Sequence, residues 1–233
     1  MSPANKDFYG WILDLGKVDY ERVLDWQRKL VKLRKEGMAR DTLILVEHPP
    51  VITVGKDGHP ENFSHAKIKV VPIERGGDVT YHGPGQLVVY FICNLTRREK
   101  DMHLFIDKLQ DGIIDACREF GLDARKDSEN TGVWVGDKKI ASLGVAVKQW
   151  ITFHGVAINL NTDLSEFSQI NPCGLTADVM SSVGKLTKKK IDMKEFGKII
   201  VDKYSEFFNT AFYQIQLEEI AEDIESQSGS NVI

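Results

Sequence analysis

The chain has 233 residues, 42% of them hydrophobic and 27% charged, with a formal net charge of −4. That length suits one domain able to build a full core without staples, and the acidic balance excludes a general nucleic-acid binder. Three widely spaced cysteines, Cys93, Cys117 and Cys173, form no CxxC pair, which excludes a disulfide framework or structural zinc site and points to a reducing compartment.

The first sixteen residues hold one Lys and two Asp and show no targeting pattern. No stretch approaches the ~18 apolar residues of a membrane helix. A cytoplasmic protein that contacts no membrane is expected.

In chain order, residues 9–15 read as a first strand. Asp19 caps a predicted helix over 20–36, with Val23, Trp26, Leu30 and Leu33 on one face and Gly37 as terminator. Residues 42–46 and 51–54 are short apolar strands around a His48-Pro49-Pro50 turn. Strands at 68–73 and 87–93 bracket a glycine-rich segment, and the spacing of Phe105, Leu109, Ile113 and Cys117 predicts a helix over 102–120. Segments 132–135 and 140–147 flank a Gly136-Asp137 hairpin turn, followed by a strand at 151–160. Asp192 and Glu195 have capping-box spacing for a helix to about residue 208. Beyond residue 218 an acidic tail predicts a short helix that frays into disorder. The pattern is α/β, one catalytic domain over 1–217 with a mixed sheet flanked by helices, and it allows a small C-terminal lobe after residue 180.

The segment from Glu74 to Gln86 puts four glycines and a proline among thirteen residues. It reads as a loop where backbone can approach a ligand, or else as a surface turn. It has neither the GxxxxGK[ST] phosphate-loop spacing nor a GxGxxG opening a helix. Cys173, between Pro172 and Gly174, is poorly placed as core filler, whereas Cys93 and Cys117 fit apolar patterns. A reactive thiol needs a nearby cation or helix N-terminus; Lys138 and Lys139 are candidates, or simply two solvated hairpin lysines. Six histidines include no HExxH pair and no metal-ligand cluster, so no metal is expected. His82 and His154 read equally well as structural.

Three blocks then match a known family: Arg75-Gly76-Gly77-Asp78-Val79-Thr80-Tyr81-His82-Gly83-Pro84-Gly85-Gln86, Lys139-Ile140-Ala141-Ser142-Leu143-Gly144, and Asn171-Pro172-Cys173-Gly174. His154-Gly155-Val156-Ala157-Ile158-Asn159 resembles a fourth. Together, in this order, they resemble the lipoyl(octanoyl) transferase family of the biotin/lipoate protein ligase superfamily. The resemblance implies that Cys173 is an acyl-thioester nucleophile and Lys139 the lysine that lowers its pKa. It implies an acyl pocket lined by Arg75, Gly76, Gly77, Asp78, Val79, Thr80, Tyr81 and His82, by Ser142, Leu143 and Gly144, and by Gly155, Val156 and Ala157. The donor would be octanoyl-acyl carrier protein, and the acceptor a lysine on the lipoyl domain of a 2-oxoacid dehydrogenase subunit or on a glycine-cleavage carrier. No cofactor is implied. One departure is that Ala146 and Lys148 stand where an Arg is expected after Gly144, which leaves the carrier-docking surface open. The rival readings are an ATP-dependent lipoate–protein ligase of the same superfamily and a non-catalytic acyl- or carrier-binding module.

Overall fold

The computed structural model describes residues 8–98, 100–171 and 175–226. Strand β1 (Phe8–Lys17) leads into helix α1 (Tyr20–Glu36). The Asp19 carboxylate accepts the N–H groups of Glu21 and Arg22 at 3.0 and 3.4 Å, and Gly37 closes the helix with φ 79°. Both caps are those the sequence predicts, because each satisfies backbone groups that a helix end leaves unpaired. Next come β2 (Asp41–Glu47), β3 (Val51–Val54), β4 (Val70–Pro72), β5 (Val79–His82) and β6 (Gln86–Ile92). Helix α2 (Met102–Glu119), capped by Asp101, is followed by β7 (Ala124–Lys126), β8 (Val133–Val135), β9 (Lys138–Lys148) and β10 (Ile151–Asn159). The chain continues through α3 (Val183–Thr187), α4 (Met193–Phe207), β11 (Thr210–Gln214) and α5 (Ala221–Ser226).

Eight strands make one mixed sheet in the order β11-β1-β2-β6-β10-β9-β8-β7, and a smaller sheet has the order β4-β3-β5. Strand β1 runs parallel to both its neighbours, while the pairs from β2 to β7 are antiparallel. On one face α2 and α4 pack over Leu43, Val89, Phe91 and Ile158; on the other α1 covers Leu13, Ile44, Val88 and Tyr90. A third cluster, Ile52, Tyr81, Phe167, Ile170 and Met180, lies against the small sheet.

The stretch after residue 180 is built into the main body. Helix α4 lies beside α2, with the Tyr204 hydroxyl donating to Leu109 O at 2.9 Å, and β11 forms the sheet edge beside β1. The described part of the acidic tail forms α5, which with the preceding turn buries Ile220 and Ile224 in the α1-side core. Residues 227–233 lie outside the described residues.

The sequence reading misses four elements, one of them the five-residue helix α3. Strand β5 sits inside the segment read as a loop, where four residues between glycine clusters are too few for a period-2 pattern to register. Strands β7 and β11 are short as well, and each is fixed by its sheet partner, β8 and β1 respectively.

Candidate active site

A cleft of about 430 Å³ lies between α1, β5 and the central strands β6, β9 and β10. Its size falls in the ordinary range for a small-ligand site. Lys139 stands at one end, and Val145 with His154 at the other. Val145 lies six positions along β9 from Lys139, about 20 Å at ~3.3 Å per residue.

Lys139 is 3% exposed. Its ammonium nitrogen lies 5.6 Å from the Trp134 ring centroid, and its carbonyl accepts Ser181 N–H at 2.8 Å. Lys138, its neighbour, is half-exposed and donates to Asp178 O at 3.2 Å. Sequence alone leaves these two lysines equivalent; the fold turns Lys139 inward.

Arg75 is buried against the small sheet, where its guanidinium donates to Thr53 O at 3.0 Å and to Thr53 Oγ1 at 3.2 Å. A Cβ on Gly144 would stand 2.6 Å from Arg75 Cδ, so this glycine admits the arginine to the cleft wall. Thr53 Oγ1 also lies 3.4 Å from His82 Nε2. Gln86 Nε2 donates to Tyr81 O and to Asn159 Oδ1, which leaves its Oε1 to accept from His82 Nδ1 at 2.8 Å. His82 therefore carries its proton on Nδ1 and turns an Nε2 lone pair toward Thr53. Asn159 in turn donates to the carbonyl of Ser181, the residue whose N–H is bonded to Lys139 O. One polar chain thus joins the Arg75 wall to the Lys139 end.

Three buried histidines gather at this site, each held neutral by burial. Desolvation lowers His82 to about 3, with the nearby His48 adding to the effect; it lowers His48 and His154 to about 4. His48 bridges Val18 O and the Tyr90 hydroxyl at 2.7 and 2.8 Å. His154 differs from the other two. It is 1% exposed at φ 60°, and neither ring nitrogen has a hydrogen-bond partner among the described residues. Its backbone N–H is held by Gln27 Oε1 at 2.8 Å, while the Glu74 carboxylate lies 4.0 Å from Nε2. Burial pushes the Glu74 carboxyl up, but its bidentate pair with Arg28 outweighs this and holds it below the usual range. A left-handed, buried, unpaired histidine is the kind of cost that accumulates at functional sites.

The expected pocket residues divide two ways. Arg75, Gly76, Gly77, Val79, Thr80, His82, Ser142, Leu143, Gly144, Gly155, Val156 and Ala157 all border the cleft. Asp78 and Tyr81 do not. Tyr81, flanked by Thr80 and His82 on β5, points to the far side of the small sheet and meets Phe167 edge-on at 5.3 Å. Asp78 accepts His59 N–H and the Asn62 amide, and Asn62 O accepts Asn171 N–H at 2.8 Å. It anchors the approach to residues 172–174 rather than walling the cleft. Cys173 lies outside the described residues. Sequence reasoning missed Tyr20, Val88, Tyr90 and His154 as lining residues; only His154, which opens the fourth matched block, carried any signal.

A lipoyl protein ligase A/B catalytic domain model matches residues 19–205, four-fifths of the chain. The chain belongs to that family. Among members, the octanoyltransferase of Thermoanaerobacter sp. (strain X514) is 43% identical over 219 residues, covering 91% of this chain and 96% of that one. The octanoyltransferase of Caldicellulosiruptor saccharolyticus is 42% identical over 90% of this chain and 93% of its own. Solved structures share the lipoyl protein ligase fold at low identity. A lipoate-protein ligase A bound with ATP superposes with TM-score 0.77 at 17% identity, over 94% of both chains. A biotin protein ligase from Aquifex aeolicus gives 0.53 at 14%, over 86% of this chain and 71% of that one. Among the described residues no helix is long and apolar enough to cross a membrane, and no group of His, Cys, Asp or Glu is gathered as metal ligands.

Proposed function

We infer that this chain is an octanoyltransferase that carries an octanoyl group from an acyl carrier protein thioester to a lysine of a lipoyl-domain protein. The observation that carries the reading is the kinship with octanoyltransferases at 43% identity over 91% of the chain. The buried Lys139 at the end of a glycine-walled cleft supports the chemistry.

The Cys173 thiolate attacks the donor carbonyl, a C–S bond forms to Cys173, the carrier's C–S bond breaks, and the Lys139 ammonium protonates the departing sulfur, leaving Lys139 neutral. One thioester replaces another, so the step is nearly isoenergetic and needs no ATP. The acceptor amine then attacks; a C–N bond forms, the Cys173 C–S bond breaks, and Lys139 takes the amine proton for delivery to the leaving sulfur. The acyl chain lies along β9 with its carbonyl at the Lys139 end and its methyl end toward His154. Burying about six methylenes at ~0.8 kcal/mol each gives roughly 5 kcal/mol, enough to disfavour much shorter chains. Asp78, through Asn62, holds the chain at Asn171, two positions before Cys173. A cytoplasmic setting suits Cys93 and Cys117, which are buried free thiols.

Mass spectrometry after incubation with octanoyl-acyl carrier protein tests the reading: a covalent octanoyl adduct on Cys173, formed without nucleotide, is expected. Activity that requires magnesium-ATP and leaves Cys173 unmodified would assign the chain to the ligase reading instead.

A further inference from the structure

Two short stretches of the chain are strongly basic, and in the first, residues 22–35 of α1, Arg28, Lys29 and Arg34 are already paired with Glu74, Asp25 and Asp41. Between residues 185 and 198 stand six lysines, Lys185, Lys188, Lys189, Lys190, Lys194 and Lys198, against Asp192 and Glu195, a net +4 that leaves −8 on the rest of the chain. All six lysines are exposed, and none is engaged in an ion pair among the described residues. Their charge is therefore available to a partner.

The fold fixes this stretch at the reacting end of the cleft. Ser181 N–H is bonded to Lys139 O, and Gly184 N–H to Leu160 O at 2.8 Å. The Asn161 side chain clamps Ile191 through both its backbone groups, at 2.7 and 2.9 Å. Strand register places Ile158 beside Ala141, so the end of β10 and the Lys139 end of β9 coincide. The opposite, hairpin end of the same two strands carries Lys148, far from the chemistry. From Ile191 the patch extends along α4 to Lys198, about 10 Å at 1.5 Å per residue. Lys194 and Lys198 also border a groove of about 540 Å³ lined by Ile12, Leu45 and Phe212, with Lys17 and the carboxylates of Asp14, Glu47 and Asp202 around it.

We propose that the α3–α4 lysine face is the docking surface for the acidic acyl carrier protein that delivers the thioester. Uncommitted positive charge beside the reacting end complements an acidic protein and steers it to the cleft. The offset selects the donor over the acceptor. An acceptor lysine has four methylenes and must bring its own domain up to the carbonyl. A carrier's long thioester arm lets the carrier itself sit to one side, over α4.

The inference rests on the transferase reading, and its test separates the two. The triple variant Lys189→Glu/Lys190→Glu/Lys194→Glu is compared with the wild type for acyl-enzyme formation by mass spectrometry. Donors are octanoyl-acyl carrier protein, octanoyl-coenzyme A and the uncharged octanoyl-N-acetylcysteamine thioester. The expected result is an about 10- to 100-fold loss of kcat/KM with the carrier and a flattened salt dependence. The two small donors should be used at wild-type rates, which also shows that the variant folds. Octanoyl transfer from pre-acylated enzyme to a lipoyl domain should be unchanged. An equal loss with coenzyme A thioester, an unchanged carrier rate, or a loss confined to the acceptor step each overturns the proposal. A wild type that takes no acyl group from any donor overturns the transferase reading itself.

Discussion

A Cβ added to Gly132 would stand 2.5 Å from Lys139 Cε and 2.8 Å from Ala141 O. Gly132 has φ 155°, and its carbonyl accepts the Gln110 side-chain amide at 2.9 Å. The glycine therefore shapes the space that holds the lysine chain. Gly132→Ala should displace the Lys139 ammonium and strain the backbone against a carbonyl that cannot step aside. The expected outcome is an about 1–3 kcal/mol loss of stability and at least a tenfold slower acylation, checked by urea unfolding and rapid-quench mass spectrometry. Unchanged acylation would show that Lys139 does not act from its observed position.

Replacing the proposed pair should separate charge from proton transfer. Cys173→Ser should abolish octanoyl transfer, whereas Cys93→Ser and Cys117→Ser should change stability alone. Burial pushes both of those thiols up, Cys117 to about 12, so neither should react with iodoacetamide in the folded protein near neutral pH. Lys139→Ala should slow labelling of Cys173 as its thiol relaxes toward the ordinary ~8.5. Lys139→Arg keeps the charge but cannot accept a proton near neutrality. Labelling and acyl-enzyme formation should survive in that variant while aminolysis fails. Indistinguishable Ala and Arg variants in both half-reactions would make Lys139 a steric element only.

Asp78 and the cleft wall should give different signatures. Asp78→Ala removes the carboxylate that holds His59 and Asn62, and through Asn62 the chain at Asn171. Acylation should slow with every donor while the preference among six-, eight- and ten-carbon chains stays fixed. Ala157→Leu, which fills the cleft wall itself, should shift that preference toward shorter chains. A shift in chain preference from Asp78→Ala would return Asp78 to the cleft lining.

The histidines should make the fold acid-sensitive. His48, His82 and His154 are lowered to about 4, 3 and 4, below the ~6.5 of an unfolded histidine. Between pH 6.5 and about 4.5 the unfolded chain binds protons that the folded chain refuses. Stability is then complete above pH 6.5 and falls as pH drops, by up to ~1.4 kcal/mol per pH unit for each histidine. Chemical unfolding from pH 7 to 4.5 should show this slope. His48→Asn, whose amide can still donate to Val18 O, should remove about one-third of it. An unaltered slope in that variant would mean that His48 is not buried as a neutral ring.

Local patterns in the sequence determine much of this protein. The caps at Asp19 and Asp192, the periodic apolar faces of α1 and α2, and the apolar strands β2, β6 and β10 are all legible because their causes lie within a few residues. The ordered blocks from Arg75 to Gly174 likewise carry the family. Tertiary structure decides what depends on contacts distant in the chain. Lys138 and Lys139 are adjacent and chemically alike, and only the packing of β9 against Gly132, Trp134 and Ser181 makes one buried and the other solvated. Asp78 and Tyr81 stand inside a ligand-like motif, yet pairing of β5 with β3 turns Tyr81 to the far face, and Asp78 is taken by Asn62. His154 reads as an ordinary strand residue until Gln27, 127 positions away, holds its backbone and the cleft leaves its ring unpaired. Periodicity records which face of an element is apolar. It does not record which long-range partner meets a polar side chain, and in this site that partner sets each residue's role.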